Sequence, residues 1–371
     1  MAKLSKAELA SIIASYVDGS KIGADSFTAS YTQGLLDKIA KTFNIETSFV
    51  DKLGMFDGDD LGFGKTLEEW ASDLILPEAF DESGSGALAP HSSTYRPVEW
   101  SYTLGRKKIP QTIRYNEFER ACNNAQEFGA LIANKTKVMY DSETLLKYGI
   151  KRQALGTLIA KCVAESSSTT YYASITSSTA VNTVIKKDAN ATITAILVKK
   201  LPSTKPATYD DAVAGGYLVE LDLVKGLAKP VDTTTGEAFV EDLKKAVEVA
   251  EDFNEGHSLN GNTLGATPVD GLVLVVKQGI QPVIETQVQA GAFHMDKVAI
   301  PCKIVVVPDF GNANADYYAV LMDARGMRLH NSYRAVRENV NGDGDFLNMF
   351  FHTENTVHIS RNTFVRVYKN A

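Results

Sequence analysis

Positive charge is in short supply in this 371-residue chain, where 38 Lys and Arg stand against 45 Asp and Glu for a formal net charge of −7. Neutralising nucleic-acid phosphates needs a Lys/Arg surplus on some face, so this balance argues against binding of that kind. No apolar run approaches the roughly 18 residues of a membrane span. No apolar core follows the lysines of Met1-Ala2-Lys3-Leu4-Ser5-Lys6, so this start is not read as a signal peptide. The three cysteines, Cys122, Cys162 and Cys302, are far apart and odd in number. They fit reduced thiols rather than a disulfide framework, and each reads as a small packed residue rather than a nucleophile. Internal repeats and sustained heptads are absent, as are a nucleophile elbow and a dinucleotide fingerprint.

Three segments imitate functional motifs and fall short of them. In Asp59-Asp60-Leu61-Gly62-Phe63-Gly64-Lys65-Thr66 the position that a phosphate loop reserves for its first glycine holds Asp59. Two acidic side chains sit where phosphate charge must go, and no buried strand precedes them. Asn341-Gly342-Asp343-Gly344-Asp345 resembles a calcium loop, but lacks its glycine at the sixth position and has His352 where the bidentate Glu belongs. A glycine-rich hairpin turn is the better reading. No histidine pair has the spacing that puts two metal ligands on one helix face. His352 and His358 share a strand face by their even separation, without a third ligand nearby.

What is present is a folding composition, 44% hydrophobic and 22% charged, long enough for two or three structural units. Leu4, Leu9, Ile12, Ile13 and Val17, then Leu35, Leu36, Ile39 and Phe43, recur at helical spacing, an N-terminal arm or helical unit over 1–65. Two extended limbs follow. Leu67, Trp70, Leu74 and Leu76 lead to the polar tip Asp81-Glu82-Ser83-Gly84-Ser85-Gly86, and Val98, Trp100, Tyr102 and Leu104 alternate on the way back. This predicts a long β hairpin over 66–115, which buries too little to stand alone and so looks outside the chain for completion. Arg106-Lys107-Lys108 closes the returning limb. The triplet reads either as a solvated strand end or as a contact with the acidic Asp81 and Glu82 tip of a neighbouring copy.

The longest helical stripe runs through Phe128, Leu131, Ile132, Leu145, Leu146, Leu155, Leu158, Ile159 and Val163, with Asn116 and Asn123 as candidate caps. Gly129, Gly149 and Gly156 predict a kink. Between 180 and 309 helix and strand alternate: strand at Tyr217-Leu218-Val219-Glu220-Leu221, helix over 239–253, strands at 271–276 and 304–307. Strands are expected again at 317–322, 327–329, 346–352 and 363–367.

The order arm, hairpin, long helix, α/β unit and C-terminal strands resembles the major capsid protein fold of tailed phages, herpesvirus capsids and encapsulin shells. The run Val320-Leu321-Met322-Asp323, then Leu329, Asn341-Gly342-Asp343-Gly344, Asn348, Phe351, His352 and Ser360, is similar to the C-terminal signature of small-podophage head proteins. Segments 70–80 and 102–114 resemble that family's extension loop, and the likeness spans 66–371. The resemblance implies an α+β fold: an arm (1–65), an extension loop (66–115), a peripheral domain with a spine helix (116–180), an inserted α/β axial domain (181–309) and peripheral C-terminal strands (310–371). It implies a self-assembling, non-enzymatic subunit of an icosahedral bacteriophage head, needing no cofactor or metal and assigned no catalytic residue. Such a subunit forms pentamers and hexamers with itself, admits scaffolding, portal and decoration proteins as further partners, and encloses DNA without sequence-specific binding. It is made in the host cytoplasm and resides in the virion. No cross-link is assigned to Lys107 or Lys108. Two alternatives stay open at this point: an encapsulin-type nanocompartment, and a nucleotide-binding enzyme using the Gly64-Lys65-Thr66 turn.

Overall fold

The computed structural model describes residues 49–61, 67–72, 95–99, 101–114, 125–187, 195–261, 267–285, 300, 302–311, 313 and 315–371. Its longest element is helix α1 (Ala125–Ser166), 42 residues in one piece and so roughly 60 Å long. It runs unbroken through the glycines expected to weaken it. Two separate cores hold it. Met139 packs with Ile113, Met349 and Phe351, whereas Tyr148, Leu155, Leu158, Ile159 and Cys162 face the main core. Leu145, counted in the expected stripe, falls between the two and is 56% exposed.

The main sheet has five strands in the order β10-β9-β11-β14-β8. They are β8 (Val224–Gly226), β9 (Leu272–Lys277), β10 (Lys303–Val307), β11 (Tyr317–Asp323) and β14 (Val365–Lys369). β9 and β11 read as unbroken apolar runs because both sheet faces are covered. Val273, Val275 and Val320 point into the main core with α1, and Leu272, Leu274 and Leu321 face helix α3 (Thr233–Glu251). α3 begins ahead of its expected start because Asp232 caps it. The Asp232 carboxylate accepts from the Thr235 amide at 2.9 Å, and the Thr235 hydroxyl accepts from the Asp232 amide at 3.2 Å.

The expected boundary at 309/310 does not separate two sheets: β11 and β14, from the C-terminal segment, sit inside the sheet formed by β8 to β10. A smaller antiparallel sheet of β5 (Val181–Lys186), β6 (Ala195–Lys200) and β7 (Leu218–Leu221) carries the short helix α2 (Tyr209–Ala214) over its own cluster of Ile185, Ile196, Val198 and Tyr209.

β12 (Met327–Asn341) and β13 (Phe346–Ile359) form a long hairpin. Its turn is Asn341-Gly342-Asp343-Gly344-Asp345, closed by the Asn341 side-chain oxygen accepting from the Asp343 and Gly344 amides at 3.0 and 3.1 Å. Both strands run far past the expected 327–329 and 346–352. The extension includes Thr353-Glu354-Asn355-Thr356, polar residues all buried at 4% exposure or less. Pairing on both edges, not hydropathy, keeps this stretch extended.

The second edge of β13 takes β3 (Ser101–Thr103) and β4 (Lys107–Arg114). The expected free-standing hairpin over 66–115 is therefore corrected. Among the described residues, β1 (Glu68–Ser72) and β2 (Tyr95–Glu99) form a separate two-stranded ribbon, whereas β3 and β4 of the returning limb pair with β13. The compact body begins at Phe49, ahead of the expected 65/66 boundary. Leu53 and Phe56, in and beside a 3-10 turn at Gly54–Phe56, are fully buried in the main core.

Candidate assembly interface

Polar contacts from Leu67 and Glu69 join the β1–β2 ribbon to the body. The Leu67 amide donates to the Ser101 hydroxyl at 3.1 Å. The Ser360 hydroxyl donates to the Glu69 carboxylate at 2.6 Å, and His358 Nε2 lies 3.5 Å from the same carboxylate. Burial pushes the Glu69 pKa up, but hydrogen bonds from His358, Ser360 and Asn362 outweigh it and hold the group below its ordinary value. Trp70, 65% exposed, lies beyond this anchor on β1.

At the ribbon's base the three members of the basic triplet are all exposed but have different surroundings. Arg106 Nε is 3.3 Å from Oε2 of Glu354, whose side chain is 5% exposed, and the guanidinium stacks over the Tyr333 ring at 4.0 Å. Arg106, 52% exposed at its side chain, thus also satisfies a buried carboxylate. Lys107 and Lys108 begin β4 in register with Thr353 and His352. Both are exposed, on opposite faces of the sheet by strand alternation. The Lys108 ammonium lies 5.7 Å from the Phe350 ring centre. Asp81 and Glu82, the expected acidic counterpart, lie outside the described residues, as does the Gly64-Lys65-Thr66 turn. Among the described residues no three His, Cys, Asp or Glu side chains converge as a metal group would require.

Several structural ion pairs were not anticipated. Lys151, 1% exposed, points from α1 into the core, where its ammonium is 2.7 Å from Asp51 Oδ2 and also pairs with Asp57. This clamps residues 49–61 onto the body. The same segment then runs beside β12, with the Gly58 amide donating to the Leu329 carbonyl and the Leu61 amide to the Asn331 carbonyl, both at 2.9 Å. Glu143 of α1, 3% exposed, lies 2.8 Å from Arg334 of β12 and 2.9 Å from Lys147. The signal for Lys151 was its position among Tyr148, Leu155, Leu158 and Cys162 at helical spacing, a cation on a face that otherwise packs inward.

Burial raises the Cys162 thiol to about 12 and the Cys302 thiol to about 11, so neither is a poised nucleophile. A cleft of about 430 Å³ between α1 and β3, floored by Leu104, Ala154, Val357 and Ile359, has Lys161 at its wall. Burial, with Arg361 nearby, lowers the Lys161 pKa to about 8.

A long helix against a long hairpin, a mixed five-stranded sheet and a separate ribbon make up a fold similar to that of chains in phage structures. The structure is similar to a chain in the capsid of Staphylococcus phage Andhra, with a TM-score of 0.60, 9% identity and coverage of 90% of this chain and 88% of that one. It is also similar to a chain in a structure of the head fiber and inner core protein of native bacteriophage P68, with a TM-score of 0.57, 9% identity and the same coverage. No curated protein matches the sequence. Residues 6–368 match the Phi29-like phage major capsid protein family, and the chain belongs to it. It is a structural subunit of a phage head shell, present in the virion in many copies. Neither the nanocompartment nor the nucleotide-binding alternative is favoured by this match.

Proposed function

We propose that the chain assembles through pentamers and hexamers into an icosahedral shell, with the segment that carries the β1–β2 ribbon as the extension loop and Lys107 and Lys108 as the part of the basic triplet that meets a neighbour. The observation that carries this reading is the ribbon itself: two short strands, a large exposed aromatic at Trp70, and two exposed lysines at the base. Two-stranded ribbons bury too little to be stable in water, so contact with another copy supplies what is missing. The acidic tip at Asp81 and Glu82 of a neighbour is the counter-charge, and it sets register more than affinity. The α/β unit built on the five-stranded sheet serves as the axial domain. The net charge of −7 fits a container that confines DNA without gripping its phosphates, and the subunit has no catalytic task. It is made in the host cytoplasm, with scaffolding, portal and decoration proteins as further partners.

Reversing Arg106 as well would set a glutamate against buried Glu354 and damage the fold, so the informative variant is Lys107→Glu with Lys108→Glu. The doubly substituted subunit should melt like wild type and fail to form shells at concentrations where wild type assembles, seen by negative-stain microscopy. Normal shells at the wild-type threshold would remove the lysines from the interface.

A further inference from the structure

Among the described residues, the outward edge of β12 is divided into a covered part and an open part. Near its start the Leu329 and Asn331 carbonyls accept from Gly58 and Leu61 of the chain's own segment. In an antiparallel ladder, alternate residues turn both backbone groups away from the partner strand. Leu329 and Asn331 are of this outward kind on β12. The register shift between Asn331 and Tyr333 changes the parity, since Asn331 faces Asn355 and Tyr333 faces Glu354. Beyond that bulge the outward residues are therefore Arg334, Val336, Glu338 and Val340. Among the described residues, no strand pairs with this stretch.

Proteins that remain single usually blunt such an edge with proline, lysine, a covering loop or brevity. Here Gly58 and Leu61 cover the start of β12, and among the described residues no segment pairs with the rest. The stretch 333–341 contains neither proline nor lysine. Its outward positions include Val336 and Val340, 44% and 66% exposed, while Arg334 is folded back onto Glu143 at 2.8 Å. Arg337 and Glu338 are adjacent, exposed and opposite in sign, so the pair leaves no net charge to repel a second copy of the same chain. The edge also already accepts one extended segment of this sequence, residues 57–61.

We infer that the β12 edge from Arg334 to Val340 is a strand-docking surface, filled in the shell by an extended segment of a second copy. The chain belongs to a shell of many copies, so that partner is always at hand. The contact is independent of Lys107 and Lys108, which lie on the other side of β13.

Hydrogen exchange reads the contact directly. In unassembled subunits the amides of Arg334, Val336, Glu338 and Val340 should exchange fast while those of Ala335, Arg337 and Asn339 are protected. In phage heads all seven should be protected, at least 10-fold more slowly exchanging at the four outward positions. Fast exchange of those four in heads overturns the inference. A photo-reactive residue at Val340 identifies the occupant: an adduct with the chain's own sequence supports a second copy, and an adduct with any other protein overturns it. Glu338→Pro removes an outward amide and leaves the β12–β13 ladder intact. It should melt like wild type yet lose assembly, and assembly at the wild-type threshold contradicts the proposal. Should that variant fail to fold, the exchange pattern of the wild-type chain still decides.

Discussion

Replacing Lys151 by methionine keeps most of the side chain's volume and removes its charge. Asp51, 10% exposed at its side chain, would keep the hydrogen bond from the Leu53 amide at 2.8 Å but lose its ion pair. Stranding one partner of a buried pair costs about 3–5 kcal/mol. The second partner, Asp57, is 51% exposed, so its share is about 0.2–1 kcal/mol and lies within that range. Unfolding of a body this large shifts by roughly 2 °C per kcal/mol, giving a fall of about 6–10 °C in Tm. Urea and thermal melts of the unassembled subunit measure it. Because the penalty is an unpaired carboxylate, adding Asp51→Asn to Lys151→Met should restore part of the loss, whereas Asp51→Asn alone should destabilise. A loss under about 1 kcal/mol for Lys151→Met, or two losses that simply add, would refute the clamp.

Two further outcomes follow from the same contacts. The Glu69 pKa is depressed in the folded protein, so its stabilisation is present above the ordinary carboxylate pKa and is lost as pH falls through the lowered value. Protection factors at 68–72, corrected for the intrinsic pH dependence of exchange, should fall on acidification in that window, and Glu69→Gln should abolish the dependence; an unchanged profile in that variant would exclude Glu69 as the anchor. Gly311 adopts φ +60°, and a Cβ there would lie 2.9 Å from the Gln153 Cα. Gly311→Ala should therefore cost about 2 kcal/mol or more in a urea melt, and a neutral result would mean the 309–311 turn is not pressed against α1.

The parts of the fold legible in the sequence are those where hydropathy and burial coincide. β9, β10 and β11 are apolar runs, and the buried face of α3 repeats at helical spacing through Phe239, Leu243 and Val247. The first turn of α3 is polar, and only the Asp232 cap explains it. The length of β13 was hidden because Thr353 to Thr356 look like loop residues, yet β12 pairs along one side while β4 at Thr353 and β3 at Thr356 hold the other. The site divides in the same way. Exposed Lys107 and Lys108 were readable as a charged strand end. Arg106 was not, because its partner Glu354 lies 248 positions away. Lys151 was masked by the convention that charge marks a solvent face. The ribbon was visible by alternation, but its continuous return limb was overestimated, since Ser101 onward finds a partner in β13.

The most direct test of the account is negative-stain electron microscopy of the purified full-length chain across protein and salt concentration, with sedimentation velocity on the same samples. Closed particles, or curved fragments of them, above a threshold concentration are the predicted result. A species that sediments as a monomer under every condition, with the β1–β2 ribbon protected from exchange within it, would contradict the claim that this subunit completes itself only by joining others.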